Sequence, residues 1–315
     1  MANPVADPRN DSLLNDAVLF VNPAAGGGRA GGVLPRVKKL IQANSFRTEF
    51  VLTKNTEELE PLVRQAIESG KRLLLAMGGD GTFQGLANAA FGADAVLGVL
   101  PAGGGNDFAA GLGFPEDAME AAKMLLRARP KWVDLVRVRT ADGREKLFVG
   151  GGGVGLDAEA ARHASGALRR VPGRLRYIAA ALRALCTYEV LEVHAEFPGS
   201  ELPALEAKAL LACVLNTPTY GAGLRLAPEA RSDDGWLDFV VIEDLSAAKV
   251  LALLPRLMYS GELRTLQVKR MRVKRVRLTT GRPCMFHGDG EILGPAPVEI
   301  EVVARAVRVL APAEH

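Results

Sequence analysis

The sequence predicts an α/β domain followed by an all-β domain, and three observations support this division. Before residue 132, short apolar runs of strand length alternate with segments of helical periodicity. From Trp132 onward, short segments of alternating polar and apolar residues, separated by turn residues, dominate. The 315 residues also exceed the size at which one hydrophobic core usually stops growing. We therefore assign residues 1–133 to the first domain and 134–305 to the second, and residues 306–315 can return to the first.

The elements of the first domain follow one another as strand, turn and helix. The predicted strands are residues 17–21, 47–52, 72–77 and 95–100, and the predicted helices are residues 33–43, 56–69 and 118–127. Thr56 is the candidate N-cap of the second helix because its hydroxyl can accept a hydrogen bond from a backbone N–H group. Alternation of strands and helices favours a sheet whose carboxyl strand ends lie along one edge.

The second domain is predicted to consist mainly of short strands. These are residues 133–139, 147–149, 191–197, 209–215, 236–242, 267–278 and 298–303. Helical insertions at residues 157–184 and 246–260 interrupt them. Many short strands with turn signals between them are typical of an all-β fold.

Composition and charge exclude several classes of protein. The formal net charge of +3 is too small to imply a nucleic-acid partner. Cys186, Cys213 and Cys284 lie far apart without a CxxC pair, so neither a disulfide framework nor a zinc site is supported. The N-terminus is polar, and no apolar run approaches the roughly 20 residues that cross a bilayer. We expect a cytoplasmic protein that at most lies on the inner face of the membrane.

Glycine-rich turns follow three of the predicted strands. Residues 78–82, Gly-Gly-Asp-Gly-Thr, lie between a strand and a helix, and residues 22–30 and 101–108 also follow strands. Without Cβ atoms, such turns let backbone N–H groups and the positive end of a helix approach an anion. Nucleotide phosphate is the anion that best fits this arrangement. Asp80 would repel phosphate unless a cation lies between them or the carboxylate orders the loop. If Mg²⁺ is present, we interpret Asp80 as an acid linked to the metal.

Two weaker interpretations of these glycines remain open. The turns could be three unrelated loops, since glycine is common at helix caps and turns. Gly26, Gly28 and Gly31 also match the dinucleotide-binding pattern GxGxxG. That pattern arises easily in a chain with 34 glycines, and Asn22-Pro23 intervenes between the strand and the helix. A dinucleotide-dependent oxidoreductase is therefore a distant alternative.

An ordered set of motifs resembles the diacylglycerol kinase catalytic family, which includes soluble bacterial lipid kinases and the sphingosine kinases. In order, they are Asn22-Pro23 with its glycines, residues 78–82, Gly105-Asn106-Asp107-Phe108-Ala109, Asp233-Asp234-Gly235-Trp236-Leu237-Asp238 and Asp289-Gly290-Glu291. The match covers nearly the whole chain. Gly-Gly-Asp-Gly-Thr by itself is shared with NAD kinases, whereas the ordered set is specific.

The resemblance implies a nucleotide-binding α/β domain of the phosphofructokinase and NAD-kinase type, then a β-sandwich domain, with the active site in the cleft between them. It implies a kinase that uses ATP and Mg²⁺ to phosphorylate a lipid hydroxyl. The residues implied to contact nucleotide are Asn22, Thr53, Gly78, Gly79, Asp80, Gly81, Thr82 and Gly104. The implied catalytic residues are Asp80, Asp107 and Asp134 in the metal network around the phosphates, with Glu291 as the general base.

The chemistry of phosphoryl transfer suits these residue types. Positioning and neutralisation of charge matter most, and Mg²⁺ held by carboxylates supplies the neutralisation. A lipid hydroxyl is a poor nucleophile near pH 7, and a carboxylate that takes its proton typically contributes about 10²- to 10⁴-fold. Glu291 lies in a glycine-bounded turn, with His287 nearby, where its side chain can face a cleft. From spacing alone, the alternative for Asp289 and Glu291 is a solvated β-turn.

A second Mg²⁺ site is implied by the resemblance at residues 231–236. The carboxylate of Asp234 and the backbone carbonyls of Arg231 and Trp236 would form its shell, because a hard cation favours oxygen ligands. An Asp-Gly hairpin turn is the alternative for this segment.

Four residues depart from the family pattern. Gln84-Gly85 stands where Asn-Glu is usual, Gly104 where Thr is usual, and Ala25 where Ser is usual. Each change removes a side-chain contact but leaves the backbone N–H groups in place. Nucleotide affinity is therefore the property that these changes affect most.

Two basic stretches indicate contact with a membrane surface. The first lies between Glu159 and Glu189 and contains Arg162, Arg169, Arg170, Arg174, Arg176 and Arg183 without an acidic residue. Residues 264–277 add seven cations without an acid. Near an anionic membrane each charge is worth about 1 kcal/mol, so we interpret both stretches as membrane-facing or headgroup-binding. A solvated basic face is the alternative. An exposed strand edge in the second domain would also allow two copies to pair.

The sequence thus predicts an ATP- and Mg²⁺-dependent kinase that acts on diacylglycerol or a related lipid. An NAD-kinase-like enzyme is the main alternative, although it would need neither Asp289-Gly290-Glu291 nor the basic stretches. A lipid- or nucleotide-binding relative without catalysis is the other alternative, in view of Gln84, Gly85 and Gly104.

Overall fold

The chain forms two compact units. The computed structural model describes residues 16–44, 47–156, 183–184, 188–221, 223–261 and 265–313. The first unit comprises Met1–Gly103, Leu112–Val133 and Ala306–His315, and the second comprises Gly104–Gly111 and Asp134–Arg305. Residues 104–111 thus group with the second unit, whereas the sequence analysis places them in the first. Close packing explains the difference, since a Cβ atom added at Gly111 would lie 3.0 Å from Cγ2 of Thr217.

The first unit contains a parallel sheet and several helices. Its strands are β1 (Ala17–Val21), β2 (Thr48–Leu52), β3 (Leu73–Gly78) and β4 (Val96–Pro101), in the spatial order β2-β1-β3-β4. The helices are α1 (Arg29–Ala43), α2 (Thr56–Glu68), α3 (Asp80–Ala90), α4 (Asp107–Gly111, in the second unit) and α5 (Ala118–Leu125). The register pairs Ala17 with Leu73 and Leu73 with Val96, and all these strand pairs are parallel.

Local sequence explains these elements. β1, β3 and β4 are buried along their whole length, as expected for apolar strands whose two faces are both covered. The amphipathic helix α2 buries Leu59 and Val63. The side chain of Asn55 caps this helix by accepting a hydrogen bond from the backbone N–H group of Glu58 at 2.9 Å. The prediction of Thr56 as the N-cap is therefore wrong, because Thr56 is already the first helical residue.

The second unit consists mainly of antiparallel strands. They are β5 (Arg129–Thr140), β6 (Glu145–Phe148), β7 (Gly151–Gly155), β8 (Leu191–Glu196), β9 (Leu205–Leu215), β10 (Leu237–Glu243), β11 (Val268–Val273), β12 (Arg275–Thr280), β13 (Met285–Gly288), β14 (Glu291–Pro295) and β15 (Val298–Ala311). Helix α6 (Ala247–Tyr259) follows β10. The strand order is β14-β13-β7-β9-β8-β12-β15, and β10 pairs with β9 and β11. The start of β5, up to Val133, belongs to the first unit. So does the end of β15, where Arg308 pairs with Val96 of β4.

An apolar core lies among the strands of the second unit. Its buried members include Val136, Phe148, Val154, Leu191, Val193, Val214, Phe239, Val241, Val276, Leu278, Phe286 and Ile300. On the other face of β9, Leu211, Cys213 and Leu215 form a second cluster with Leu257 of α6. From Ala209 onward both faces of β9 are covered, and this part of the strand is a continuous apolar run.

The structure corrects several predicted elements of the second unit. β7, β13 and β14 escaped prediction because glycines and short length weaken the strand pattern. Residues 267–278 form two strands, interrupted at Lys274. Residues 298–303 and 306–310 belong to one strand, β15, in which Arg305 has a left-handed φ of 50°. The predicted helical insertion at 157–184 lies outside the described residues, apart from residues 183 and 184.

Candidate active site

The strand ends of the first unit carry most of the residues predicted to bind nucleotide. Asn22 follows β1, Thr53 follows β2, Gly79 follows β3 and Ala102 follows β4. Because these strands are parallel neighbours, their carboxyl ends lie at one edge of the sheet, as the sequence analysis predicts. A hydrogen bond of 3.0 Å from the backbone N–H group of Asn22 to the carbonyl of Met77 joins the first of these ends to the third strand.

The turn after β1 packs closely on the loop after β4. A Cβ atom added at Gly26 would lie 2.2 Å from the carbonyl oxygen of Ala102, so no side chain fits there. The guanidinium group of Arg29 donates a hydrogen bond to the carbonyl oxygen of Gly103 and brings a positive charge to the loop. A Cβ atom added at Gly27 would meet no atom within 4 Å. The turn is therefore tight on one side and open on the other.

The Gly-Gly-Asp-Gly-Thr turn joins β3 to α3. A Cβ atom added at Gly78 would lie 2.3 Å from Oγ1 of Thr82, and one added at Gly79 would lie 3.3 Å from the backbone of the β4 loop. α3 begins at Asp80, and Gly81 follows in its first turn. The first turn of a helix has N–H groups without intrahelical partners and the positive end of the helix dipole. This turn can therefore accommodate an anion.

Thr53 is buried at the end of β2. It is 2% exposed, and its backbone N–H group donates to the carbonyl oxygen of Val21 at 2.8 Å. Its hydroxyl group lies 3.4 Å from the same oxygen. These contacts hold the end of β2 against β1, and a contact between Thr53 and nucleotide stays a prediction.

Packing explains the glycine at position 85, which departs from the family pattern. A Cβ atom added at Gly85 would lie 2.6 Å from Cγ2 of Thr56 and 3.2 Å from Cδ2 of Leu59. Gln84 beside it is also buried, with 2% of its surface exposed. The close approach of α2 and α3 therefore requires glycine at position 85.

Asp134 is a buried hub of backbone hydrogen bonds in the second unit. It is 1% exposed, and its two carboxylate oxygens accept from the backbone N–H groups of Arg305 and Gly235, each at 2.7 Å. Its own N–H group donates to the carbonyl oxygen of Ser232 at 2.6 Å. Asp134 thus ties the loop before β10 to the left-handed position in β15.

The candidate base lies at a tight hairpin turn between β13 and β14. Asp289 and Gly290 form this turn with φ values of 50° and 84°, as a two-residue type I′ hairpin requires. The carboxylate of Asp289 accepts hydrogen bonds from the backbone N–H groups of residues 149, 150 and 151, at 2.7, 2.9 and 3.2 Å. Glu291 begins β14 and is partly exposed, whereas His287 in β13 is 7% exposed.

Asp107 belongs to the second unit. It begins α4 directly after Asn106, which has a left-handed φ of 60°, and it is partly exposed. Gly104 begins the same segment of the second unit. The structure therefore groups Asp107 with Asp134 and Glu291, and it groups Asp80 with the glycine turns of the first unit.

The carboxylate of the Mg²⁺ site predicted at residues 231–236 already has protein hydrogen-bond partners, and a metal at this segment stays a prediction. One carboxylate oxygen of Asp234 accepts from the N–H group of Trp236 at 3.0 Å, and the other accepts from the guanidinium group of Arg272 at 2.6 Å. Arg231 pairs with Asp233 at 3.1 Å. Burial raises the pKa of the neighbouring Asp238. Among the residues that the structure describes, no cluster of three or more acids, histidines or cysteines could hold a metal ion.

The basic stretch at residues 264–277 takes part in many ion pairs. These join Lys269 to Glu243 at 2.6 Å, Arg272 to Asp234 at 2.6 Å, Arg275 to Glu301 at 2.8 Å and Arg277 to Glu299 at 2.9 Å. Most of the first basic stretch lies outside the described residues. Within the described part of the chain, no helix is long and apolar enough to cross a membrane. A membrane role for either stretch stays a prediction.

Two contributors to these arrangements escaped the sequence analysis. The sequence indicates a turn at Asp289, but its hydrogen bonds to residues 149–151 join it to partners about 140 positions away. Asn216 is fully buried, and its side chain donates to two carbonyl groups. A sequence signal for Asn216 exists, because it is a polar residue directly after the apolar end of β9. A buried polar side chain needs hydrogen-bond partners.

Comparisons with known proteins place the chain in a family. Residues 16–138 match the Diacylglycerol kinase catalytic domain, and residues 152–311 match the YegS C-terminal NAD kinase beta sandwich-like domain. A Mycobacterium tuberculosis protein named Diacylglycerol kinase is 29% identical over 298 residues, covering 93% of this chain and 94% of that protein. A Stenotrophomonas maltophilia protein named "Probable lipid kinase YegS-like" is 30% identical over 284 residues, covering 86% of this chain and 89% of that protein.

A solved structure has the same fold. The crystal structure of a diacylglycerol kinase from Bacillus anthracis str. Sterne superposes with a TM-score of 0.72 at 21% identity, covering 95% of this chain and 97% of that one. The two family matches define a kinase with an α/β unit and a β-sandwich-like unit. The chain belongs to the diacylglycerol kinase catalytic family, a family of lipid kinases. The predicted family, fold class and enzyme class are thereby confirmed.

Proposed function

We propose that this kinase transfers the γ-phosphoryl group of ATP, bound as its Mg²⁺ complex, to a hydroxyl group of diacylglycerol or a related lipid. The observation that carries the proposal is the glycine cradle, formed by residues 22–30 and 78–82 at the strand ends of the first unit. Backbone amides and a helix start at such a cradle favour phosphate groups. The names of the relatives from M. tuberculosis and S. maltophilia support a lipid acceptor.

The glycine cradle would bind the phosphates through its backbone and through Asn22 and Thr82. When Mg²⁺ is bound with the nucleotide, it neutralises phosphate charge and so stabilises the transition state. Asp80 and Asp107 are the proposed carboxylates on the metal side. Gly104 and Thr53 complete the proposed nucleotide contacts, and Arg29 adds positive charge to the cradle.

Glu291 is the proposed general base. It takes the proton of the lipid hydroxyl while the lipid oxygen forms a bond to the γ-phosphorus. The bond from that phosphorus to the β–γ bridging oxygen breaks, and ADP leaves. We assign Asp134 a positioning part, because backbone N–H groups already occupy both of its oxygens at 2.7 Å.

We further propose that the kinase reaches its acceptor by peripheral contact with an anionic membrane surface. Helix α6 and the segment after it expose large apolar side chains, with Leu251 51%, Tyr259 80% and Leu266 93% exposed. Lys249 and Arg256 are exposed on the same helix, which has no acidic residue. Apolar side chains flanked by cations are typical of helices that lie in the membrane interface.

Transfer of labelled phosphate from ATP tests the proposed reaction. The acceptors are diacylglycerol, sphingosine, phosphatidylglycerol and NAD, each with Mg²⁺. We expect the wild type to label one lipid and Glu291→Ala to label it about 10²- to 10⁴-fold more slowly, because the base is lost. Glu201→Ala is the matched control, since Glu201 is an exposed carboxylate of the same unit.

Each other outcome of this assay has a definite meaning. Labelling of NAD alone would replace the lipid acceptor with a nucleotide acceptor. No labelling by folded protein would favour the binding-protein alternative. Full activity of Glu291→Ala would reassign the general base.

A further inference from the structure

Asn216 occupies a central position in the second unit. It directly follows β9, and its side chain is fully buried. Its Nδ2 group donates to the carbonyl oxygens of Asp134 and Val149, each at 2.9 Å. Its backbone N–H group donates to the carbonyl oxygen of Gly150 at 2.7 Å. Carbonyl oxygens only accept hydrogen bonds, so the orientation of the Asn216 amide is determined by its two partners.

The segment Val149–Gly151 is held from two sides. Asn216 binds the carbonyl groups of residues 149 and 150, and the carboxylate of Asp289 binds the N–H groups of residues 149, 150 and 151. The N–H group of Asp289 also donates to the carbonyl oxygen of Gly151 at 2.9 Å. Every backbone N–H and carbonyl group of this short segment is therefore hydrogen-bonded to Asn216 or to Asp289.

This double grip reaches the candidate base. Asp289 and Gly290 form the two-residue turn that leads directly into Glu291. A two-residue turn with both φ values positive has little conformational freedom. Asp289 is held at its carboxylate and at its N–H group. It thus determines the position of the backbone of Glu291.

The residue after Asn216 reaches the segment that carries Asp107. A Cβ atom added at Gly111, the last residue of α4, would lie 3.0 Å from Cγ2 of Thr217 and 3.5 Å from Cδ of Pro218. Thr217 is fully buried, so it offers α4 a fixed surface. Asp107 is the first residue of the same five-residue helix.

We propose that Asn216 is a positioning residue that holds Asp134, the Val149–Gly151 segment and, through Asp289, the base Glu291 in one frame. This inference rests on the proposed function, because it assigns the frame to the acceptor side of phosphoryl transfer. A carboxylate at position 216 would keep the size of the side chain but would place an acceptor against two carbonyl oxygens. The hydrogen bonds from residue 216 to the carbonyl groups of Asp134 and Val149 would then be lost, whereas every group that takes part in the proposed reaction would remain.

Asn216→Asp is the first test. We expect its kcat to fall by about 10- to 100-fold, because a small displacement of a reacting group has that effect. KM for ATP should stay within about twofold, because the glycine cradle belongs to the first unit and Gly104 alone of the proposed nucleotide contacts belongs to the second. Val276→Ala is the matched control, since it weakens the core of the same unit without touching the frame, and it should keep the wild-type kcat.

Hydrogen–deuterium exchange gives a second measurement that does not depend on activity. Asn216→Asp should exchange faster than wild type at residues 149–151 and also at residues 289–291, whereas Val276→Ala should not single out these two segments. Asp289→Asn weakens the opposite grip, because an NH2 group then faces a backbone N–H group, and it serves as a second variant if Asn216→Asp does not fold. It should produce the same pair of changes, and the double variant should lose less activity than the product of the single losses.

The two proposals fail in different ways. Wild-type protein that transfers no phosphate would refute the proposed function, and exchange would then decide the existence of the frame. Active Asn216→Asp with wild-type kcat and unchanged exchange at residues 289–291 would overturn the positioning role. Equal losses of kcat in Asn216→Asp and Val276→Ala would overturn it as well, because they would indicate general destabilisation.

Discussion

At the scale of single residues, Gly85 shows how packing can require glycine inside a helix. Glycine in a helix interior costs about 1 kcal/mol relative to alanine, so its presence in α3 needs a reason. The reason is the neighbouring helix α2, because a Cβ atom at this position would lie 2.6 Å from Cγ2 of Thr56. Glycine at position 85 is therefore unfavourable for α3 alone but favourable for the packing of α2 against α3.

Gly85→Ala should destabilise the protein in spite of the better helix propensity of alanine. Overpacking a buried contact typically costs about 1–3 kcal/mol, and most of this range exceeds the gain of about 1 kcal/mol from propensity. Gly32→Ala in α1 is the matched control, because a Cβ atom there would meet no atom within 4 Å. It should stabilise the protein by up to about 1 kcal/mol. Urea unfolding of both variants measures the difference, and stabilisation by Gly85→Ala would contradict the packing explanation.

At the scale of elements, α6 has two different faces. Leu257 packs with Leu211, Cys213 and Leu215 of β9, so this face belongs to the second apolar cluster. Tyr259 at the end of the helix is 80% exposed. One face thus fixes the helix to the sheet, and the other is available for the proposed membrane contact.

Tyr259→Ser combined with Leu266→Ser should weaken binding to anionic vesicles by at least about tenfold. Both side chains are largely exposed, so their loss removes apolar area from the interface and not from the core. Co-sedimentation with vesicles of anionic and of neutral lipid measures the effect. Leu202→Ser, at a 38% exposed leucine elsewhere in the unit, should bind as the wild type does. Unchanged binding of the double variant, or equal binding of wild type to neutral vesicles, would contradict membrane contact through α6.

At the scale of the whole molecule, nucleotide binding should appear as increased stability. A ligand present at about 100 times its Kd raises the free energy of unfolding by about 2.7 kcal/mol if it binds the folded state alone. MgATP should therefore raise the unfolding temperature of the wild type, and removal of Mg²⁺ with EDTA should reduce this increase.

Gly27→Asp should abolish most of the stabilisation by MgATP. Gly27 lies in the glycine cradle with φ of 71° and with open space beside it, and a carboxylate there would repel phosphate. Gly27→Asn is the isosteric control, because asparagine and aspartate tolerate the same left-handed backbone. Thermal unfolding with and without MgATP compares the two variants. Equal stabilisation of both would show that phosphate binds away from this turn.

The pattern of the first unit made much of its fold and its cradle predictable. Apolar runs of strand length, each followed by a turn and helical periodicity, gave the positions of β1, β3 and β4 within one or two residues. Parallel order then placed the glycine turns at one sheet edge, since carboxyl ends of parallel strands coincide. The N-cap at Asn55 was missed by one residue, because Asn and Thr are both good caps.

The frame of the second unit was harder to predict because its contacts join distant parts of the chain. Asp134 bonds to residues 235 and 305, and Asp289 bonds to residues 149–151. Strands such as β7, with the sequence Gly-Gly-Gly-Val-Gly, have too few side chains to show a period of two. Only the structure shows that β7 pairs with β9 on one side and with β13 on the other.

The sequence by itself determined the family, the glycine cradle and the identity of the acidic residues, because these depend on local order and on residue type. Only the tertiary structure decided which acids are held by backbone groups. It showed that the carboxylate oxygens of Asp134 and Asp289 accept hydrogen bonds from backbone N–H groups and that Asp234 pairs with Arg272. It also showed that the side chain of Asn216 joins the backbone of Asp134 to that of Val149. The physical reason is that a hydrogen bond requires proximity in space, and these partners lie up to 171 positions apart in the chain.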